Sequence, residues 1–371
     1  VLENKGHGNF PYHSWAGGAR DDLEYYLDFG TEVEVEKLVF YLSELKGFDI
    51  MLYPLKLNAA FKDYLWGGTR LRDEFNKQTD IDPVAESWEL SCHHDGQSII
   101  SNGEFSGKTL AQYIETVGKQ VIGTKAPKDK DFPILIKFID AKQSLSVQVH
   151  PDDKYALLHE GESGKTEMWY VMDATPDATL IYGFTHEISH QEFERRIKDN
   201  TLLEVCNQVP IKKGDVFFIE AGTLHAIGAG ALIAEIQQSS NSTYRVYDYG
   251  RVGKDGKLRE LHIEKALAVT KLEPPTRKPE PIAKLTAFAD YDLTILAQCE
   301  LFNVSHFDLH GNCSLNAKKD SFHSILVLDG QIALTYGNDS FTITKGESVF
   351  IPADMGEYIL NGTGEFILTT L

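Results

Sequence analysis

A mainly β fold is what this sequence predicts, and three observations predict it. From Met51 onward the chain reads as short strand-like runs separated by turns, with few helical stretches. Residues 285–371 are almost wholly of that kind, as at 323–328, 331–336 and 348–351, with Gly turns between them. One pattern also occurs twice. Gly214-x5-Glu220-x-Gly222-x2-His225 returns as Gly346-x5-Pro352-x-Asp354-x2-Glu357, and Glu167 precedes Ala174 by the interval at which His323 precedes Gly330.

The elements follow in chain order. Residues 1–50 read differently from the rest, and a fresh segment begins at Met51. The stretch from Ser14 to Leu42 resembles a piece of a discoidin-like, carbohydrate-binding sandwich, but such a sandwich needs about 100 residues to close. An N-terminal extension, a truncated or fused module, is therefore expected over 1–50. The main unit should span 51–270, with strands at 132–140, 167–172, 179–182, 216–219 and 231–237. Helices are expected at 109–117, 152–159 and 192–207, the last opened by a capping box in Ser189-His-Gln-Glu192. The run from Lys271 to Pro281 holds four of the chain's 13 prolines and marks a stiff linker over 271–284. The second β unit should fill 285–371.

Composition narrows the function. At 371 residues and 42% apolar content the chain can bury a large core, and two packed units are the default. No apolar run reaches the roughly 20 residues that span a bilayer. No basic segment followed by an apolar one suggests a secretory signal. The four cysteines show no metal-binding or framework spacing, as expected of thiols in a reducing cytoplasm. A net charge of −19 makes nucleic acid a poor partner. An anionic small substrate would need a local cluster of Lys and Arg.

The segment from Ser144 to His225 carries the chemistry. In Leu145-Ser-Val-Gln148-Val-His150-Pro, one residue separates Gln148 from His150, so on a strand both leave the same face. Glu167 follows in Lys165-Thr-Glu167, and His225 in Gly222-Thr-Leu-His225. Two imidazoles, a carboxylate and an amide oxygen suit zinc or a similar divalent ion, with room for water or substrate.

These blocks resemble the two motifs of the cupins, small β-barrels of the double-stranded β-helix or jelly-roll type that hold a metal inside. On that resemblance His150, Glu167 and His225 belong to a metal-holding barrel with a small helical insertion. The second block, with His323 and Glu357 in the corresponding places, belongs to a degenerate, non-catalytic barrel. Glu220 stands where cupins usually have proline, which should loosen the turn before His225.

The likeness goes further. The motifs around Gln148-Val-His150, Lys165-Thr-Glu167, Gly222-Thr-Leu-His225 and Ser242-Thr-Tyr-Arg245, with Tyr64-Leu-Trp66-Gly-Gly, Glu86-Ser-Trp88-Glu and Arg259-Glu-Leu-His262, resemble type I mannose-6-phosphate isomerase in its short bacterial form. The resemblance covers 51–371. It implies a zinc ion, one per chain, held by Gln148, His150, Glu167 and His225, and a catalytic Arg245. Ser146 and Lys165 resemble positions that hold the sugar phosphate; Trp66 and Trp88 read as packing. The implied reaction interconverts mannose 6-phosphate and fructose 6-phosphate through an enediol. For the proton transfer, Glu235 in a dry barrel should have a raised pKa suited to acid–base work; water on the metal is the competing candidate. A cytoplasmic monomer or weak homodimer is expected, with a sugar phosphate as its partner and neither nucleic acid nor membrane. Two rival readings are a non-catalytic, metal-containing cupin that binds sugars or regulates, and an iron-dependent cupin dioxygenase.

Overall fold

Strand alternation decides which side chains reach the interior. In the strand Val147–Val149 the valines leave one face and Gln148 the other. Ala226 and the His225–Ile227 pair divide in the same way on the next strand. The computed structural model describes residues 51–128, 132–253 and 256–371. The expectations for residues 1–50 lie outside them.

Two antiparallel sheets form the first barrel. One runs Tyr244–Tyr247, Val147–Val149, His225–Ile227, Thr179–Phe184, Cys206–Pro210. The other runs Val216–Ile219, Glu167–Ala174, Ala231–Gln238, Ile134–Ala141, Glu86–Leu90, Ala60–Lys62. Their inner faces share one core, in which Leu180, Tyr182 and Ile227 of the first sheet meet Ile139, Val171, Phe217 and Ile233 of the second. The outer face of the first sheet, with Val147, Val149 and Val246, is sealed by Phe193 and Ala266 from the helices His190–Lys198 and Ile263–Val269. Both faces of that sheet are thus covered.

The second barrel grows from the outer side of the second sheet. Tyr170 stacks on His306 at 5.2 Å and Phe218 meets Phe302 at 6.2 Å. Its sheet is built chiefly from residues 286–370, and its interior is hydrocarbon: Phe307, Ile325, Val327, Ile332, Val349 and Phe366 are all buried together. The strand Leu55–Asn58 also belongs to it, pairing Leu55 with Phe350 and Leu57 with Ser348. The boundary read at 271–284 therefore does not separate every hydrogen bond, and Met51–Leu371 forms one compact unit.

The mainly β, two-barrel cupin architecture agrees with the sequence, and the differences have local causes. The helix expected over 192–207 stops at Lys198, because Asn200 turns left-handed (φ 60°) and Cys206 enters a strand paired with Phe184. Ser189 does cap that helix through Glu192 N–H at 3.1 Å, but the Glu192 carboxylate turns to Arg196 rather than back to the cap. The reciprocal box occurs instead at Thr109 and Gln112. The proline-rich segment is not a free spacer: Lys271 N–H bonds Gly222 O at 2.8 Å, and Ile188 N–H bonds Leu272 O at 3.0 Å.

Candidate metal centre and active site

Two rows of side chains cross the barrel's interior. On the first sheet, Arg245 is paired in register with Gln148, and Gln148 with His225. On the second, Trp169 is opposite Glu235, Glu235 opposite Lys137, and Lys137 opposite Trp88. Glu167 leads in from two positions before Trp169, on the same face.

His150, Glu167 and His225 converge with ligand atoms within 4.8 Å of one another, all buried. His150 Nδ1 donates to Ser242 O and His225 Nδ1 donates to Thr223 O, each at 2.8 Å. These backbone acceptors assign the tautomer: both Nε2 atoms carry lone pairs and no proton. Yet the two Nε2 atoms lie 3.1 Å apart, facing each other. Glu167 adds a carboxylate with Oε1 at 3.3 Å from His225 Nε2 and Oε2 at 3.6 Å from His150 Nε2; Oε1 has no hydrogen-bond partner among the described residues, and Oε2 faces the Lys165 ammonium at 3.2 Å. The Lys165 ammonium, beside His150 Nε2 and Glu167 Oε2, leaves His225 Nε2 and Glu167 Oε1 without a charged donor, and such buried groups are costly unless a further cation sits among them. The donor set, nitrogen and carboxylate oxygen, fits a borderline divalent ion. The Gln148 amide reaches His225 Nε2 at 3.5 Å and can present either oxygen or nitrogen there by a half-turn.

The electrostatics agree. Burial lowers the His225 pKa to about 4 and pushes His150 well below its usual value, with Lys165 adding to both. Neutral imidazoles at pH 7 are what a metal needs. Burial, then the charge of Glu235, raises Glu167, and its proton must leave when a cation enters.

Lys165 does not sit on a loop in solvent. Its ammonium is buried, 3.2 Å from Glu167 Oε2 and 3.2 Å from His150 Nε2. Ser146 Oγ lies 3.3 Å from Gln148 Oε1 and 3.3 Å from Arg245 Nε. Arg245 donates to Glu260 O at 2.9 Å. Burial and the neighbouring Arg259 pull its pKa down, but a guanidinium stays charged at any working pH.

Glu235 corrects one expectation. Burial alone would raise its pKa; the ammonium groups of Lys137 and Lys165 override that and hold it below the usual carboxylate range. Its Oε2 is 2.7 Å from Lys137 Nζ and its Oε1 accepts from Trp169 Nε1 at 2.7 Å. The expected loose turn before His225 is also absent. Glu220 pairs with Lys271 at 2.9 Å, and Gly222, at φ 89°, donates to His150 O at 2.8 Å.

Sequence reasoning missed Lys137, and it placed Glu86 and Arg259 in family motifs without giving either a role in the site. Lys137 is buried between Glu235 and Glu86, the latter at 3.5 Å, and these pairs hold its pKa above the ordinary value against its burial. The available signal was a lone charge inside an apolar strand: Ile-Leu-Ile-Lys137-Phe-Ile, matched by Leu-Ile-Ala-Glu235-Ile on the strand beside it. All three residues line, with Ser146, Gln148, Lys165 and Arg245, a cavity of about 260 Å³.

Comparison with known proteins accords with this geometry. Residues 54–177 match the family description "Phosphomannose isomerase type I, catalytic domain", and residues 292–371 match "Mannose-6-phosphate isomerase, cupin domain". The probable mannose-6-phosphate isomerase GmuF of Bacillus subtilis is 38% identical over 86% of this chain and 99% of its own. The mannose-6-phosphate isomerase of Streptococcus mutans is 36% identical over 85% of this chain and 98% of its own. The crystal structure of the mannose 6-phosphate isomerase from Bacillus subtilis superposes with a TM-score of 0.79 at 35% identity, covering 86% of this chain and 99% of that one. No helix among the described residues is long and apolar enough to cross a membrane. With a metal-ready cluster beside a guanidinium in one barrel, and relatives matched over 99% of their own length and 86% of this chain, the chain belongs to the type I mannose-6-phosphate isomerase family.

Proposed function

We propose that the chain interconverts mannose 6-phosphate and fructose 6-phosphate through an enediol(ate), at a single zinc ion held by Gln148, His150, Glu167 and His225. The observation that carries the reading is the pair of Nδ1-locked imidazoles whose unprotonated Nε2 atoms face each other at 3.1 Å beside buried Glu167, more lone pairs than the single Lys165 ammonium next to them can satisfy. When bound, the cation supplies Lewis acidity toward a carbonyl or hydroxyl oxygen of the open-chain sugar.

The chain's own residues do the rest. Arg245 enters from the strand beside Gln148 and offers a permanent cation in a fixed fork, so it stabilises negative charge developing on the enediolate oxygen. Proton transfer between the two carbons is assigned to Glu235: the carboxylate, kept ionised by Lys137, takes the proton from one carbon and returns it to the neighbouring carbon of the enediol, so that it ends ionised again. Ser146 and Lys165 line the same cavity and are assigned to the sugar-phosphate chain. Arg259, beside Arg245, adds positive charge for the phosphate in a protein of net charge −19. Residues 51–270 supply this machinery, and the barrel of 285–371 serves it structurally.

The test is direct. Protein loaded with zinc should turn fructose 6-phosphate into mannose 6-phosphate, lose that activity on exhaustive chelation, and regain it with added zinc. Loaded protein without turnover, or turnover that survives complete metal removal, would sink the reading.

A further inference from the structure

Two loops meet over the ligand cluster, and one carboxylate joins them. Residues 160–166 lead from the helix Asp153–His159 into Glu167; residues 239–243 lead from the strand Ala231–Gln238 toward Arg245. Neither loop has a sheet ladder of its own to fix it. Glu162 Oε2 accepts three hydrogen bonds from the second loop: Ser240 Oγ at 3.1 Å, Asn241 N–H at 3.2 Å and Ser242 Oγ at 3.2 Å. The loop is drawn together behind that oxygen, with Ser242 N–H on Ser240 Oγ at 3.2 Å and Gln237 Nε2 on Ser240 O at 2.7 Å. At its far side the Ser242 carbonyl accepts the Nδ1–H of His150 at 2.8 Å.

The line of contacts has a chemical consequence. The Ser242 carbonyl is what leaves His150 Nε2 bare and sets the plane of the ring. An ionised acceptor that gathers three donors is a stronger tie than a neutral one. Asp95 holds the same loop from outside, accepting from Asn241 Nδ2 at 2.7 Å. That clamp reaches the side chain of Asn241, whereas of the two carboxylates it is Glu162 that bonds Ser242.

We propose that Glu162 is a positioning residue of the metal centre: through Ser240, Asn241 and Ser242 it holds the carbonyl that orients His150 toward the cation. The proposal rests on the metal reading above and deepens it. Nothing in it gives Glu162 contact with substrate or metal.

Metal affinity, measured by chelator competition on the full chain with zinc and with cobalt, tests it. Glu162→Ala should bind about 10–100-fold more weakly than the unaltered protein, the range typical when a partner behind a metal ligand is removed. Glu162→Gln, which keeps an acceptor oxygen, should recover most of that loss. The absorption bands of the cobalt-loaded Ala variant should shift, because the His150 ring is no longer fixed. A Glu162→Ala protein that melts lower when metal-free, yet holds zinc and cobalt unchanged, would overturn the proposal in favour of plain loop support. If that variant does not fold, Ser242→Ala cuts the link nearest His150; unchanged affinity there overturns it equally. An unaltered protein that retains neither zinc nor cobalt would instead bring down the metal reading beneath it, and the proposal with it.

Discussion

The two barrels repeat one backbone and fill it differently. In the first, Glu167 is paired with Ile219 and Trp169 with Phe217; in the second, His323 is paired with Ile351 and Ile325 with Val349. The turns correspond as well: Gly214 and Gly346 have φ of 91° and 87°, and Gly222 and Asp354 have φ of 89° and 66°. Asp354 shows that the second barrel keeps the left-handed turn even without glycine, since a short polar side chain tolerates it. Yet the place of His225 is taken by Glu357, which is exposed, while its neighbour Tyr358 is buried. Half-buried His323 meets the Tyr358 hydroxyl at 2.7 Å. The scaffold therefore does not dictate a metal centre. A handful of inward positions do, and where they are lost the polar remnant satisfies itself and hydrocarbon fills the rest.

The sharpest way to break this comparison is to remove a ligand from the first barrel. In His225→Ala, zinc content should collapse and turnover fall by at least about 10³-fold, since both the cation and the charge it offers the transition state are gone. Metal analysis and the isomerase assay on the same sample check it; full zinc content would show that His225 is not a ligand. Arg245→Ala should separate the two roles. Zinc should stay, and kcat should fall by about 10²–10³-fold, the cost of losing one preorganised donor to developing negative charge. Near-normal kcat would remove Arg245 from the transition state.

The second barrel should respond in stability rather than chemistry. Phe366 is buried and stacks on Phe307 with centroids 4.7 Å apart. Phe366→Ala should cost about 3–5 kcal/mol in denaturant unfolding, with zinc affinity kept in the folded protein. Tyr358→Phe is milder. It removes the partner of the half-buried His323 Nδ1, at a cost of about 1 kcal/mol. If either change altered kcat as strongly as it altered stability, the division between a chemical and a structural barrel would fail.

Much of this was legible in the chain, for a physical reason. Strands at 216–219 and 348–351 stand where expected because each is a short apolar run after a glycine that must turn left-handed. The gathering of His150, Glu167 and His225 was legible because family motifs surround all three. Sequence reasoning did not reach the long-range pairings. Nothing local announces that Leu55–Asn58 joins a sheet almost 300 residues away. The helix over 192–207 was overextended because helical spacing continues past Asn200, whose left-handed backbone ends it. Glu235 was assigned a raised pKa from its burial alone. Its direct partner, Lys137, was hidden inside an apolar run, and that ammonium together with Lys165 reverses the sign of the shift.

The smallest expected effect lies where the two barrels touch. Glu365 of the second barrel lies 3.4 Å from His306 Nε2 and 2.9 Å from Lys213 Nζ of the first. The hydrogen bond from His306, ahead of the charge on Lys213, lowers the Glu365 pKa from its usual 4.5 to about 2. The folded state therefore binds this proton less readily than the unfolded chain does. The group's contribution to stability is complete above pH 4.5 and disappears as pH falls from 4.5 to about 2. Glu365→Gln, which cannot ionise, should be slightly less stable than the unaltered protein at pH 6, and the difference should vanish by about pH 2. Solvent reaches both partners of the surface pair, so the gap at pH 6 should be about 1 kcal/mol or less. Thermal melts of the two proteins across that range measure it. A gap that persists unchanged into acid would mean that the Glu365 side chain acts by packing, and that charge does not hold the barrels together at this point.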